Sequence, residues 1–316
     1  MDTLRKPDVL ARNSRGMERK KRLRNLGPAS FFVLPGLLLA AAFVIYPMLF
    51  NIRISFSEYN IVQRTITWTG LNNLSALLND SQGRLLVAIR NNYLYALVTT
   101  PFILLFGVLF AVMINNLRHA RILFRTFFYL PVITSWVIVG MVFTYMFNSS
   151  ERGLINYLLV DFLHVQDSYI PWLRRTWTAN SVIWIMGIWK NVGWAMIIYL
   201  AGLQSISPQL YEAADIEGAG PAAKLWYITI PLLKNTTYYV MVNMLIGSFN
   251  VFLQVLLLTN GDPRGTTSVL QFLLYDKAFN QFVFGQGAAV GLITAVLILF
   301  TTTVVNRIFK TGGGHT

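Results

Sequence analysis

Asn92-Tyr93-Leu94-Tyr95-Ala96-Leu97-Val98-Thr99-Thr100-Pro101-Phe102-Ile103-Leu104-Leu105-Phe106-Gly107-Val108-Leu109-Phe110-Ala111-Val112-Met113-Ile114 runs without a charged side chain. A helix rises about 1.5 Å per residue, so about 20 apolar residues cross a hydrocarbon layer of roughly 30 Å. Residues 31–50, 127–147, 180–203, 236–259 and 285–306 are stretches of the same kind, and Lys190 is the one charged residue among all six. Backbone amides in lipid have no water to bond, so only helices or closed barrels span, and continuous apolar runs exclude the alternating pattern of barrel strands. The expectation is an all-α integral membrane fold of six transmembrane helices.

Composition agrees. Of 316 residues, 55% are hydrophobic and 12% charged, against about 25% charged in ordinary soluble domains. Residues 1–29 form a basic segment with nine Lys or Arg, including Arg19-Lys20-Lys21-Arg22 and Arg24. Such a segment directly before a span stays in the cytoplasm, and an even number of spans returns the C-terminus to the same side. The loop 115–126, with Arg118, Arg121 and Arg125 and no acid, then faces the cytoplasm too. The net charge of +13 could suggest nucleic acid, but attraction to anionic lipid explains a basic run in this position, and no nucleic-acid partner is expected. Ala40-Ala41-Ala42 looks like a signal-peptide processing site, yet the apolar run continues to Phe50, beyond the usual length of such a signal. With no Cys, disulfides, thiolate metal sites and haem attachment are excluded.

The organisation read from the sequence is the basic segment 1–29, a membrane domain 30–306 and a short cytoplasmic tail 307–316 containing Gly312-Gly313-Gly314. The outside segments 51–91, 148–179 and 260–284 have room for interfacial helices but not for an independent core. Trp172 and Trp177 fit an aromatic belt at a membrane surface. Between the fourth and fifth spans, Pro208 suits a first helical turn and Gln209 to Ile216 is helix-compatible. Gly218 and Gly220 break that helix and Pro221 can open a second, so a bent helix pair outside the bilayer is expected.

A solute stripped of water needs hydrogen-bonding groups along its passage. In the fifth stretch Asn243, Gly247, Asn250 and Gln254 fall at i, i+4, i+7 and i+11, one helical face, with Tyr239 a turn earlier and Ser248 beside them. Such a stripe serves either as a pathway lining or as interhelical packing. Trp189-Lys190-Asn191 and Trp194 lie near the middle of the fourth stretch. A Lys in lipid costs at least about 2.5 kcal/mol, so Lys190 faces a cavity or a partner subunit, or bonds a backbone carbonyl. Ser135, Tyr145, Tyr93 and Thr99 are further pathway candidates.

No catalytic or metal site is expected: the spans hold no Asp, Glu, His or Cys, and His119, His164 and His315 are isolated in loops or the tail. A GxxxxGK[ST] phosphate loop is also missing, so ATP hydrolysis by that route must come from another subunit. A secondary transporter working alone is an alternative, but this chain has neither a midplane acid nor an evident repeat.

Tyr211-Glu212-Ala213-Ala214-Asp215-Ile216-Glu217-Gly218-Ala219-Gly220, followed by Ile228-Thr229-Ile230-Pro231, resembles the EAA loop of bacterial ABC importer permeases, with Pro231 thirteen residues beyond Gly218. Glu217 stands for the family's Asp and Ile230 for its Leu. Leu34-Pro35-Gly36 through Ile45-Tyr46-Pro47 to Ser55-Phe56, Leu130-Pro131, Gly153-Leu154-Ile155-Asn156 and Leu200-Ala201-Gly202-Leu203-Gln204-Ser205-Ile206 extend the resemblance. So does Leu258-Thr259-Asn260-Gly261-Asp262-Pro263 with Tyr275 and Phe279, although Asp262 stands where the family has a second Gly. The pattern is most similar to the first permease of a maltose-type or multiple-sugar-type pair, without room for the large extracellular insert of some members. The resemblance implies a type I ABC importer permease in the bacterial cytoplasmic membrane. It also implies a heterodimer with a second permease, two ABC ATPase subunits that hold ATP and Mg, an extracellular or periplasmic solute-binding protein, and a sugar as solute. Under it, loop 204–235 couples to the ATPase and the fifth span lines the route. A glycerol-phosphate or other polyol substrate stays open.

Overall fold

The computed structural model describes residues 32–117 and 119–311, with side chains as far as residue 309. The basic segment 1–29 with its Arg19 to Arg24 run, Phe31, Arg118, and the Gly312-Gly313-Gly314 tail with His315 lie outside the described residues. The chain divides into two compact units, Met1–Arg53 and Ile54–Thr316.

The described part of the first unit belongs to an apolar helix, α1, Phe32–Ser55, of 24 residues. Its winding widens at Ala41–Ile45, where the N–H of Tyr46 donates to the carbonyl of Ala41. Pro47 has no N–H to offer the carbonyl of Phe43 and crowds it, and a wider turn just ahead takes up the mismatch.

The second unit opens with an antiparallel hairpin, β1 Ser57–Asn60 and β2 Thr65–Trp68, with Ser57 opposite Trp68 and Asn60 opposite Thr65. Asn60 Oδ1 closes the turn by accepting from the N–H groups of Val62 and Gln63, both at 3.0 Å. Helices follow: α2 Asn72–Leu78, α3 Arg84–Asn115, α4 Arg121–Ile133, α5 Trp136–Met146, α6 Thr176–Gln204, α7 Pro208–Ile216 and α8 Pro221–Lys224. Further along come α9 Lys234–Ser248, α10 Leu253–Leu258, α11 Leu270–Tyr275 and α12 Phe284–Thr311.

Two long unbroken helices, α3 and α6, pack along one another and form the frame. Ile103 and Ala111 of α3 share one buried cluster with Val192, Met196 and Tyr199 of α6. A second cluster joins Phe143 of α5, Met186 of α6 and Val255 of α10. A third joins Ala88 of α3 to Phe249, Leu270 and Val290. Burying apolar side chains against each other still matters here, because interfaces within lipid are held by close packing rather than by exclusion of water.

Four described helices, α1, α3, α6 and α12, are long and apolar enough to cross a membrane, or five spans if α4 and α5 are one broken span. Two stretches read as continuous spans are therefore broken helices. The first, 127–147, bends by 93° between α4 and α5. Thr134 turns extended there and Ser135 restarts the helix, its Oγ accepting from the N–H of Val137 at 3.3 Å. The second, 236–259, ends as α9 at Ser248 and resumes as α10 at Leu253. The helical winding is lost over residues 249–252, directly after Gly247-Ser248. Polar side chains take the backbone groups that the break frees. Asn250 Nδ2 donates to Ile246 O at 3.2 Å, and Gln254 Oε1 accepts from the N–H of Phe252 at 3.2 Å.

Candidate functional site

The two breaks face one cavity of about 390 Å³. Its walls are Tyr95, Thr99 and Ile103 from α3, Trp136 from the start of α5, Asn191 from α6, Met244, Gly247 and Ser248 from α9, Asn250 and Phe252 from the break, and Leu253 and Gln254 from α10. No Asp, Glu, Lys or Arg lines it. The walls thus combine neutral amides and hydroxyls with aromatic faces, a chemistry that suits an uncharged solute, in the size range of roughly 300–1,000 Å³ usual for ligand cavities.

Several expected residues meet there. Asn191, Gly247, Ser248, Asn250 and Gln254 line the cavity, as does Thr99. The one-face argument for the stripe holds only as far as Gly247, because α9 ends a residue later; Asn250 and Gln254 arrive through the break instead. Asn243 returns its amide to Tyr239 O at 2.8 Å, and Tyr239 packs its ring on Trp194 at 6.2 Å, both outside the cavity lining. Trp189 belongs to a separate apolar groove of about 650 Å³, beside Phe102, Phe128 and Trp184. Tyr93 Oη bonds Thr301 Oγ1 at 3.1 Å, Ser135 caps α5, and Tyr145 is exposed.

Lys190 does not line the cavity. Its ammonium, on a residue only 4% exposed, donates to the carbonyls of Pro131 at 2.8 Å, Val132 at 3.2 Å and Thr134 at 2.5 Å. It also stands 4.7 Å from the centre of the Trp136 ring. Tyr95 and Trp136 are cavity residues that sequence reasoning missed. For Tyr95 a signal existed: Tyr95, Thr99 and Ile103 recur every four residues and all three line the cavity.

The loop between α6 and α9 opens with two helices, α7 and α8, and after α8 the helical winding continues through Leu225–Thr229 and Ile230–Leu232. Pro208 occupies the first turn of α7. At the far end Gly218 adopts φ of +75°, a conformation that costs side chains with a Cβ. The N–H of Gly218 donates to Asp215 O at 3.1 Å and that of Ala219 to Ala214 O at 2.8 Å. These two bonds form a Schellman motif, with glycine at its usual position past the helix end. Lys224 pairs with Asp215, fastening α8 to α7, and Tyr211 Oη meets Thr229 Oγ1 at 3.0 Å, tying α7 to the wider helical turn Leu225–Thr229 that follows α8. Glu212, Ala213, Glu217, Gly220 and Pro231 are exposed. Apolar side chains are exposed on the same loop: Ile216 at 89% and Tyr227 at 83%, with Trp226. Among the described residues no group of three or more His, Asp or Glu is placed to hold a metal ion.

Comparison with known proteins matches the chain to one family, to several relatives and to a solved structure. The family model for the binding-protein-dependent transport system inner membrane component matches residues 103–311. The arabinooligosaccharides transport system permease protein AraP of Halalkalibacterium halodurans is 31% identical over 269 residues, which is 84% of this chain and 82% of that one. The lactose transport system permease protein LacF of Rhizobium radiobacter is 30% identical over 84% of this chain and 89% of its own. A probable ABC transporter permease, YurN of Bacillus subtilis, is 30% identical over 89% and 95% respectively. In three dimensions the chain superposes with a TM-score of 0.80 on a chain of a bacterial ABC transporter involved in the import of the acidic polysaccharide alginate. That match covers 93% of this chain and 99% of the other at 23% identity, and speaks to the fold.

Proposed function

We propose, from the premise that this chain belongs to the binding-protein-dependent transport system inner membrane component family, that it is one permease subunit of an ATP-driven sugar importer. It is a multi-pass inner membrane protein and a transporter subunit rather than an enzyme. The observation that carries the sugar reading is the uncharged cavity between the two helix breaks. Its amides and hydroxyls replace water on a sugar's hydroxyl groups, while Trp136, Tyr95 and Phe252 offer faces for the ring's apolar sides. The names of AraP and LacF support a saccharide solute. A glycerol-phosphate substrate is disfavoured on this chain's side of the passage, because a phosphate would call for an Arg or Lys that the cavity does not offer.

The rest of the machine follows the family's logic. A solute-binding protein delivers the sugar to this permease and a second, similar one. Two ATPase subunits bind ATP and Mg²⁺ and close. The knob formed by α7 and α8, with Glu212 and Gly218 exposed on it, carries that closure to the spans, so that the cavity opens to each side in turn. A rigid cap at Gly218 and the Lys224–Asp215 pair suit a part that must transmit force without bending.

The test is uptake by the complete complex in liposomes with ATP enclosed. Labelled oligosaccharide should accumulate only with ATP and binding protein, and glycerol 3-phosphate should not. Uptake of saccharide that ignores ATP would overturn the importer reading; ATP-dependent uptake of glycerol 3-phosphate alone would overturn the sugar.

A further inference from the structure

Each of the two breaks beside the cavity is held by one buried polar side chain reaching in from an unbroken helix. At the first, Lys190 of α6 donates to Pro131, Val132 and Thr134, using all three donors of its ammonium. Pro131 and Val132 lie in the last turn of α4, whose carbonyls have no helical partner once the chain turns away. On the other side of the break, the ring beneath the ammonium belongs to Trp136, the first residue of α5 and a wall of the cavity. Lys190 therefore grips both sides of this break from α6.

At the second break one buried side chain holds the α9 edge and ties it to α11. Asn92 of α3 is fully buried, and its Nδ2 donates to the carbonyl of Ser248, the last residue of α9, at 2.6 Å. Its Oδ1 accepts from the N–H of Leu270, the first residue of α11, at 2.8 Å. Its neighbour Asn91 donates to the carbonyls of Thr266 and Ser268 at 2.8 and 2.7 Å, tying down the segment that leads to α11. Gly247 and Ser248, just before the break, and Asn250, within it, line the cavity.

Resting on the reading of this cavity as the solute passage, we infer that Lys190 and Asn92 are positioning residues. They set the shape of the passage by fixing its two broken walls to the α3–α6 frame, and neither touches the solute. A break inside an apolar layer leaves carbonyls without water, and each orphan is costly. A side chain that satisfies those carbonyls thus selects one geometry of the break among several. Both residues sit beside cavity residues on the same unbroken helices, Lys190 next to Asn191 and Asn92 one turn before Tyr95. The frame accordingly presents its own cavity groups and fixes the opposing ones.

The experiment uses the complete complex in liposomes, comparing wild type with Lys190→Met, Lys190→Gln, Lys190→Arg and Asn92→Leu. Uptake is measured per assembled complex for a disaccharide and for a longer oligosaccharide. Lys190→Met and Asn92→Leu should lower uptake per complex by about tenfold or more, the factor that one orphaned buried acceptor carries. They should also change the preference between the two saccharides. Lys190→Gln should fall between, and Lys190→Arg, which keeps charge and donors, should restore most of the activity. Wild-type uptake without dependence on ATP would be a failure of the importer reading itself. With wild type behaving as an importer, variants whose uptake per complex and preference match wild type would overturn the positioning role. If none of the variants, including Lys190→Arg and Lys190→Gln, assembles, the two side chains serve folding alone and the inference falls.

Discussion

Gly193 lies one turn after Lys190 on α6 and faces α4. A Cβ at this position would stand 2.0 Å from the carbonyl oxygen of Phe128, 2.9 Å from its carbon and 3.1 Å from Val132 Cγ2. Carbon and oxygen come no closer than about 3.3 Å even in a weak hydrogen bond, so Gly193→Ala must push α4 back by roughly 1 Å. That obstacle is backbone and cannot swing aside. The retreat also stretches the bonds from Lys190 to Pro131 and Val132, now 2.8 and 3.2 Å, toward or past the limit of a hydrogen bond. Overpacking alone costs about 1–3 kcal/mol. Alanine returns about 1 kcal/mol as the better helix former. The weakened charged hydrogen bonds add about 1.5–3 kcal/mol for each one lost, so with one bond lost the net change is a destabilisation of about 1.5–5 kcal/mol. Gly247→Ala is the control: a Cβ there meets nothing within 4 Å, so stability should hold or rise slightly. Thermal unfolding of the detergent-solubilised complex, followed by tryptophan fluorescence, should show a midpoint several degrees lower for Gly193→Ala and no fall for Gly247→Ala. A Gly193→Ala complex that unfolds at the wild-type temperature would refute the close crossing and the clamp built on it.

Other predictions follow from different parts of the molecule. Asn156 is fully buried and donates to Asn148 O and Ile170 O while accepting from Ile170 N and Trp172 Nε1. Asn156→Leu should orphan those groups at about 1–3 kcal/mol each and make residues 148–172 newly sensitive to limited proteolysis; an unchanged cleavage pattern would contradict it. Outside the spans, the hydrogen bond from Arg84 at 2.8 Å holds the Asp80 carboxyl below its usual 3.8. A depressed carboxyl adds stability above the unfolded value and loses it as pH falls through the folded one. The stability difference between wild type and Asp80→Asn should therefore be full at pH 7 and shrink below 3.8, and a difference that persists in acid would exclude the ion pair as its source. Nearby Lys277 is pushed below its usual 10.5, by burial first and then by Arg84, so its burden on stability should ease as pH rises from its folded value toward 10.5. Glu212→Lys combined with Gly218→Asp should leave ATP hydrolysis uncoupled from uptake or prevent the ATPase from attaching, which ATPase and uptake assays on one preparation distinguish; retention of coupled uptake would remove the role given to the loop.

Length and hydropathy were enough to see α3, α6 and α12 in the sequence, because an apolar run has few other homes. The loop was legible for a different reason: Pro208, Gly218 and Pro221 each act on their own backbone, and the structure starts α7, turns left-handed and starts α8 at those residues. The breaks were not legible. A hydropathy window counts side chains and passes over Thr134 and over Phe249 to Phe252 without a mark. What stabilises those breaks comes from far along the chain, Lys190 for one and Asn92 for the other, the latter bonding a carbonyl 156 residues away. The cavity was legible in part. Asn191, Ser248, Asn250 and Gln254 were read as polar groups in apolar stretches, with Gly247 on the face of the stripe, yet Tyr95 and Trp136 look like ordinary apolar filling until the helices are placed. Lys190 shows the limit most plainly, because its cost in lipid is certain from sequence but its carbonyl partners are a fact of tertiary structure.

The central claim is that this chain moves a solute only as one part of an assembly driven by another subunit's ATP. Extraction of the protein from its native membrane in mild detergent, followed by mass spectrometry of what stays bound in stoichiometric amounts, tests that directly. A second permease and an ABC ATPase retained with it are the predicted result. A lone chain that remains folded and transports saccharide into liposomes without ATP would contradict the claim and point to a secondary transporter.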